Sequence, residues 1–140
     1  MGKTPYYKAD NSSIADPTAN GYRLPTQAEW EFAARGGNTS VPAWNYTYSG
    51  TNDAEQLGQY AQYGQWEGVK EVGKLDPNTL GVYDMCGNVR EWCWDNNHYP
   101  RGGYFFWGAD QCTIKYAVWQ DLNYNGDGIG FRIVCNGAVD

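Results

Sequence analysis

The sequence predicts an α+β domain that is rich in ordered loops, with one clear helix at about residues 27–35 and a strand at residues 129–135. Charged residues make up only 19% of the chain, whereas glycine (18 residues) and aromatic residues (16%) are abundant. Tryptophan and tyrosine pin loops well, because they bury large areas while their N–H and O–H groups satisfy polar neighbours. The length of 140 residues suits one core. We expect a polar lead-in at residues 1–20 and a single domain at residues 21–140.

The predicted helix has clear signals at both ends. Pro25 stops the preceding extended segment, Thr26 is placed to cap the first turn, and Glu29 completes a capping box. At the other end, we expect Arg35 to complement the last carbonyls and Gly36-Gly37 to adopt the left-handed conformation that closes a helix. The face expected to be buried consists of Trp30, Ala33 and Ala34.

The middle of the chain shows little regular structure. Residues 38–65 predict ordered loops, and the rings of Tyr60, Tyr63 and Trp66 are expected to pack on the core. Residues 69–73 are expected to form a short strand.

Residues 129–135 are the strongest strand candidate. Their apolar side chains alternate along the segment, which places them on one face of a strand. We therefore expect this strand to lie in the middle of a sheet. The alternating residues are Ile129, Phe131, Ile133 and Cys135.

Charge and hydropathy argue against two classes of partner. The formal charge of −6, with few basic residues and no basic stripe, disfavours a nucleic-acid binder. No apolar run approaches the roughly 20 residues that span a bilayer. The N-terminal residues lack the charged and then apolar pattern of a signal peptide. We expect no nucleic-acid partner and no membrane insertion of this chain.

The four cysteines contain no Cys-x-x-Cys spacing, which argues against a zinc ribbon or a thioredoxin-type motif. We expect mostly small, buried thiols. A disulfide between two of the last three cysteines stays open as an alternative. The cysteines are Cys86, Cys93, Cys112 and Cys135.

Three separated stretches carry a family resemblance. They are residues 21–31, residues 81–95, and the run Arg101-Gly102-Gly103 followed later by Gly130-Phe131-Arg132. Together they closely resemble the formylglycine-generating-enzyme-like, or sulfatase-modifying-factor, family over about residues 21–135. The resemblance implies a C-type-lectin-like fold with short antiparallel strands. It also implies an additional N-terminal portion, so we expect a truncated or a minimal version.

The resemblance does not extend to the reactive groups of the family's enzymes. In the oxygen-dependent members a reactive cysteine pair lies shortly after the Arg-Gly-Gly run, and residues 104–111 contain no cysteine here. A copper or redox site made of two thiolates needs two adjacent thiols. The iron-dependent sulfoxide synthases use a histidine-rich site, whereas this chain has only His98, which we expect in a solvated loop. We therefore predict no catalytic residue and no enzymatic activity.

Residues 104–127 differ most from the family. Thr113, Lys115 and Ala117 stand where members commonly carry Arg, Ala and Arg, and Arg90 stands where they usually have Trp. This resembles the variable proteins of diversity-generating retroelements, in which diversified side chains near the C-terminus form a ligand-binding surface on a constant scaffold. The resemblance implies a receptor-type protein for an unknown protein or other macromolecular ligand, displayed on a cell surface or a phage particle.

The candidate ligand-binding residues combine aromatic rings with short polar side chains. Rings supply contact area at low entropic cost, and Asn, Asp and Gln adapt their hydrogen bonds to a partner. The competing interpretation is that half of these rings belong to the core. The candidates are Tyr104, Phe106, Trp107, Asp110, Gln111, Tyr116, Trp119, Asp121, Asn123 and Tyr124.

The resemblance also implies a structural Ca²⁺ ion, with ligands at Asp84, Gly87, Val89 and Glu91. Two carboxylates and two backbone carbonyls supply hard oxygens, and waters complete about six to eight ligands. The alternative is that Asp84 and Glu91 accept backbone N–H bonds that brace the loop. No other cofactor is expected.

Two other functions stay open on the sequence alone. One is a degenerate or truncated formylglycine-generating oxidoreductase domain. The other is an accessory structural module of a larger surface or phage protein.

Overall fold

Short regular elements connected by long ordered loops make up the chain. The computed structural model describes residues 3–7, 16, 18–40, 44–95 and 98–136. No helix among these residues is long and apolar enough to span a bilayer. The elements are β1 (Tyr22–Arg23), helix α1 (Gln27–Ala34), a 3-10 turn (Leu57–Gln59), β2 (Arg90–Glu91), a second 3-10 turn (Ala109–Gln111), β3 (Ile129–Gly130) and β4 (Val134–Cys135).

Helix α1 begins as the sequence predicts. The Thr26 hydroxyl accepts a hydrogen bond from the Glu29 amide (3.2 Å), and the Glu29 carboxylate accepts one from the Thr26 amide (2.8 Å). Gly36 follows the helix with a φ of 90°, which is the left-handed conformation that a C-terminal cap requires. Trp30 and Ala34 are buried, as expected.

The expectation for Arg35 is wrong. Its side chain does not cover the last carbonyls of α1, but donates from Nη1 to Asn45 Oδ1 (2.6 Å) and to the Tyr46 carbonyl (2.8 Å). The side chain is buried against the loop that contains these two acceptors. Arg35 therefore attaches the loop to the helix end, and the loop satisfies its guanidinium.

The strands form two separate two-stranded sheets. Strand β1 pairs antiparallel with β4, so that Tyr22 lies opposite Cys135. Strand β2 pairs parallel with β3, so that Arg90 lies opposite Ile129. The C-terminal segment thus contributes one strand to each sheet.

The prediction of one central strand over residues 129–135 is wrong in two respects. The segment breaks between β3 and β4, and the side chains of Phe131 and Ile133 are 68% and 55% exposed. Phe131 and Ile133 lie outward because Arg132 between them forms an ion pair with the buried Glu91, whereas Ile129 and Cys135 are half-buried. Pairing of a buried carboxylate outweighs burial of two apolar side chains here.

The core lies beneath the loops. It contains Trp30, Leu57, Met85, Ile114 and three cysteines, Cys86, Cys93 and Cys112.

Two expectations for the middle of the chain are wrong. Trp66 does not pack on this core, since its side chain is 83% exposed, whereas Tyr63 does. Residues 69–73 do not form a strand. The Lys70 main chain is bonded to the Asn88 side chain instead, which accepts from the Lys70 amide (2.9 Å) and donates to the Lys70 carbonyl (3.1 Å).

The described part of residues 1–20 packs on the domain. Tyr6 is buried, with its ring 6.3 Å from that of Trp94 and 5.3 Å from the Arg23 guanidinium. The Tyr7 hydroxyl accepts a hydrogen bond from the Leu24 amide (2.8 Å). Of the predicted lead-in, the structure describes residues 3–7, 16 and 18–20.

The carboxylate of Glu91 connects three distant parts of the chain. It is 5% exposed and accepts the Trp30 indole N–H at Oε2 (2.6 Å). Arg132 binds it through both oxygens, from Nε (2.5 Å) and Nη2 (2.7 Å). The Glu91 main chain exchanges two hydrogen bonds with Arg101 (2.8 and 2.9 Å). One residue thus fixes α1, β2 and the C-terminal segment.

Replacing Glu91 by Gln is expected to lower the free energy of unfolding by about 3–5 kcal/mol, because it leaves the Arg132 charge unpaired in a buried site. Urea denaturation measures the change. The matched control is Glu71→Gln, which removes an exposed ion pair with Lys74 (3.1 Å) and should cost no more than about 1 kcal/mol. Equal losses in the two variants would contradict the role given to Glu91.

Stability should fall in acid through Glu29. The hydrogen bond from Arg23 lowers the pKa of Glu29 from 4.5 to about 2. Because the folded-state pKa is depressed, the stabilisation is present above pH 4.5 and is lost as the pH falls towards 2. Urea midpoints measured across this window should decline less steeply in Glu29→Gln than in the unaltered protein. Parallel profiles would show that Glu29 does not contribute.

Candidate ligand-binding surface

The segment of residues 104–127 is anchored at its start by the Arg-Gly-Gly run. Arg101 is buried, forms an ion pair with Glu31 of α1, and donates from Nη1 to the Lys115 carbonyl (3.3 Å). Gly103 has a φ of 70°, and a Cβ there would lie 2.7 Å from the Gln111 carbonyl oxygen. Any side chain at this position would therefore push the segment away from the core.

Main-chain hydrogen bonds hold the beginning of this segment in place. The Phe105 amide donates to the Asn88 carbonyl (3.0 Å), and the Phe105 carbonyl accepts from the Gln65 amide (3.0 Å). The Trp107 carbonyl accepts from the Gly64 amide (2.9 Å). Backbone groups make these bonds whatever side chain the residue carries. The path of residues 105–107 is thus set by main-chain bonds.

The ten candidate residues are all at least partly exposed, so the competing interpretation, in which half of the rings belong to the core, is not what the structure shows. Trp119 and Tyr124 are the most exposed rings, at 57% and 43%. The ligand-binding role of these residues stays a prediction. Asp110, Trp119, Asp121, Asn123 and Tyr124 are exposed, while Tyr104, Phe106, Trp107, Gln111 and Tyr116 are half-buried.

Three of the candidate rings surround one guanidinium. Arg90 is 5% exposed, and its Cζ lies 4.9 Å from the ring centroid of Trp107, 5.2 Å from that of Tyr104 and 5.9 Å from that of Tyr124. A cation within about 6 Å of an aromatic centroid is attracted by the ring electrons. We call these four residues the Arg90 cluster. The sequence indicated Arg90 only as a departure from the family.

The rings continue outwards from the Arg90 cluster. Trp107 contacts Tyr116 edge to face, with centroids 5.4 Å apart, and Tyr104 lies 6.2 Å from Phe106. Phe106 in turn meets Trp66, at 3.9 Å between centroids. An open groove of about 420 Å³ runs along this row, lined by Trp66, Tyr104, Phe106, Tyr124 and Asp127 among others.

Trp66 is the residue that sequence reasoning assigned to the wrong place. It was expected in the core, yet it belongs to the exposed row of rings. Its polar neighbours Gln65 and Glu67 did not reveal its exposure, because the fully buried Ile114 is also flanked by polar residues on both sides.

The other candidates make local contacts instead. Trp119 stacks on His98, with centroids 5.6 Å apart and planes within 9°, and His98 is exposed, as expected. The Asp121 carboxylate accepts the Asn123 amide (2.8 Å), and the Gln111 side chain accepts the Gly108 amide (3.3 Å). These polar residues shape turns beside the aromatic row.

Comparison with known proteins identifies the family. The sulfatase-modifying factor enzyme 1-like domain matches residues 2–137. The chain belongs to this family. The predicted family resemblance and the α+β, loop-rich fold class are thereby confirmed, and the match also covers the residues predicted to form a lead-in.

Relatives within the family carry different descriptions. The chain is 38% identical to the chaperone protein LppX of Paenibacillus barcinonensis, over 83% of this chain and 50% of that protein. It is 40% identical to the inactive C-alpha-formylglycine-generating enzyme 2 of Bos taurus, over 72% of this chain and 33% of that protein.

A solved structure confirms the resemblance to a variable protein. Treponema denticola variable protein 1 matches with a TM-score of 0.77 and 34% identity, over 88% of this chain and 50% of that one. The chain spans half or less of the length of the relatives named here.

Three of the four cysteines of this family member are poor nucleophiles. Burial raises the pKa of the Cys86, Cys93 and Cys112 thiols to about 12. The thiolate is the reactive form, and it is scarce at neutral pH when the pKa is this high. No disulfide joins the four cysteines, all of which lie in the described part of the chain. The expectation of mostly buried thiols is confirmed.

The residues of the predicted calcium site serve a different arrangement. Arg132 donates to both oxygens of Glu91 and also, from Nη2, to the Asp84 carbonyl (3.2 Å). The Asp84 carboxylate accepts the Gly73 amide (2.7 Å), so the brace expected as the alternative is present for Asp84. The amide of Gly87 donates to the Gly102 carbonyl (2.7 Å).

This arrangement does not fit a divalent ion at Glu91, because the Arg132 guanidinium already supplies positive charge to two of the predicted ligands. Within the described ranges, no group of three or more His, Cys, Asp or Glu side chains could hold a metal ion. Calcium binding stays a prediction.

Replacing EDTA by Ca²⁺ is expected to leave the Tm unchanged, since Arg132 neutralises Glu91 without an ion. Differential scanning fluorimetry at matched ionic strength measures the effect, with Mg²⁺ as the control for unspecific stabilisation. A rise in Tm with Ca²⁺ alone would contradict this expectation and support the ion, because a ligand that binds only the folded state stabilises it.

Proposed function

We propose that this chain is a non-enzymatic, receptor-type domain that displays a diversified ligand-binding surface on a constant scaffold, as the variable protein of a diversity-generating retroelement. One observation carries the proposal. Main-chain bonds and buried anchors hold residues 104–127, while none of the ten candidate side chains is buried. Such a segment tolerates many sequences without losing its shape.

The anchors of the segment lie inside the core. Cys112 and Ile114 are fully buried, and the Ile114 amide donates to the Thr47 carbonyl (2.9 Å). These buried residues form the interior part of the segment, and the candidate residues form its surface part. Diversification confined to the surface part leaves the anchors unchanged.

The chemistry of the surface supports binding. Rigid rings with exposed edges provide contact area at a low cost in side-chain entropy, and the neighbouring Asp, Asn and Gln residues supply adaptable hydrogen bonds. The groove beside Trp66 and Phe106 offers a concave, mainly aromatic contact region. These features suit a protein or other macromolecular ligand. The domain that binds it would be displayed on a cell surface or a phage particle.

The chemistry of the thiols supports a function other than catalysis. Residues 104–111 contain no cysteine, and the three buried thiols have pKa values of about 12. Similarity to both an inactive enzyme and a variable protein agrees with a family whose scaffold serves different functions.

Combined substitution of exposed candidates should leave the fold intact. In the triple variant Asp110→Asn, Trp119→Asn and Asn123→Asp, each change should cost no more than about 0.5 kcal/mol, because the side chains lie outside the core. Urea denaturation measures the loss. Ile114→Ala in the same segment is the control and should cost about 2–5 kcal/mol.

The binding role is tested by displaying a library varied at the ten candidate positions and selecting it against a panel of purified bacterial surface proteins. We expect folded members that bind individual targets. A second library, varied at exposed positions outside the segment such as Glu55 and Gln59, is the matched control. Equal yields from the two libraries would count against a specialised surface, and a library that is mostly unfolded would overturn the proposal.

A further inference from the structure

Arg90 differs from every other arginine of the chain. Arg23, Arg35, Arg101 and Arg132 each lie within 4.0 Å of a glutamate carboxylate. Arg90 forms no ion pair with any described residue, although it is as deeply buried as Arg101 and Arg35. A buried cation ordinarily needs a hydrogen-bonded anion, because removal from water is costly.

The Arg90 guanidinium also lacks hydrogen-bond partners at its terminal nitrogens. Its Nε donates to the Gly128 carbonyl at 3.4 Å, a long contact, and its two Nη atoms make no hydrogen bond to the described residues. The one fully buried side-chain nitrogen without a partner in the described part of the chain is Arg101 Nε. The Arg90 Nη atoms therefore keep contact with solvent.

Aromatic rings compensate this charge only in part. The three rings of the Arg90 cluster attract the cation through their π electrons. None of these three residues accepts a hydrogen bond from the guanidinium, whose one acceptor among the described residues is the Gly128 carbonyl. Burial lowers the pKa of Arg90, but a guanidinium stays charged at neutral pH. The Nη N–H groups thus have no acceptor among the described residues and keep a small contact with solvent.

We infer that the Arg90 cluster is a subsite for a carboxylate of the ligand, presented next to an apolar or aromatic group. The inference rests on the proposed function and names the chemistry of its ligand. A carboxylate matches the two parallel N–H groups of a guanidinium, and Tyr104, Trp107 and Tyr124 enclose the apolar neighbour. Asp127 lines the adjoining groove but does not pair with Arg90.

The position of Arg90 adds a consequence for diversified copies. It lies on β2, outside residues 104–127, so diversification of that segment leaves it in place. Recognition of a carboxylate is then a constant contribution of the scaffold, while the surrounding rings set the rest of the specificity.

Two matched pairs of small probes test the inference without any variant. Acetylphenylalanine and its neutral amide represent the terminal carboxylate of a chain. Acetyl-Asp-Phe-amide and acetyl-Asn-Phe-amide represent a side-chain carboxylate. Indole N–H shifts in NMR titrations report binding. We expect one or both acids to bind about tenfold or more tightly than the neutral partner, as charge-assisted hydrogen bonds predict.

Variants then assign the preference to Arg90. Arg90→Met should abolish the difference between acid and neutral partner, and Arg90→Lys should keep part of it. Lys115→Met, which removes an exposed cation from residues 104–127, should leave it unchanged. Thermal melts establish that each variant is folded, and the comparison within the unaltered protein stands even if Arg90→Met does not fold.

Three results would overturn the inference. They are equal binding of the acid and its neutral partner, an acid preference that survives in folded Arg90→Met, and no binding of any probe up to about 10 mM. If the acid and its neutral partner bind equally and both shift the Trp107 indole N–H, the proposed ligand-binding function still stands. Failure of the library selection, by contrast, would remove that function whatever the small probes do.

Discussion

The buried carboxylate of Glu91 is the interaction on which the rest of the structure depends. A carboxylate removed from water is tolerated only when charge and hydrogen bonds compensate it. Trp30 and Arg132 provide that compensation from positions far along the chain. Because neither partner is a sequence neighbour, satisfying one charge fixes the helix, β2 and the C-terminal segment relative to each other. A chain with so little regular structure needs such connections, since its strands contain only two residues each.

A second acid extends this framework towards the surface. Glu31 on α1 pairs with Arg101 and lies near Arg35. Arg101 lies just before residues 104–127, which carry the candidate ligand-binding residues. Its ion pair with Glu31 therefore connects that segment directly to the helix. Beyond it, main-chain bonds and the buried Cys112 and Ile114 set the path. This division between a framework satisfied by the scaffold and side chains left outside is the physical condition for a surface that changes its sequence without changing its fold.

Arg90 belongs to both parts of the molecule. It lies on β2 beside Glu91 and is buried, yet its guanidinium is surrounded by the rings of the candidate surface. The other arginines hold the framework together through carboxylates of the chain itself. The Arg90 guanidinium instead contacts aromatic rings, and its terminal N–H groups reach solvent. The scaffold thereby places a positive charge among the rings of the candidate surface.

The sequence by itself determined the features that depend on neighbours along the chain. The limits of α1 follow from Thr26, Glu29 and Gly36, whose hydrogen bonds and φ angles are local. The family and the loop-rich fold class were likewise predictable from motifs and composition.

Only the tertiary structure decided which face of a segment turns inward and which distant groups meet. Phe131 and Ile133 point outward because Arg132 must reach a glutamate 41 positions away. Trp66 lies in the aromatic row because Phe106 is beside it. Arg132 of the C-terminal segment contacts two of the four predicted calcium ligands, at the Asp84 carbonyl and the Glu91 carboxylate. In each case the deciding partner is far away in sequence, and periodicity, which reports only on neighbours along the chain, contains no information about it.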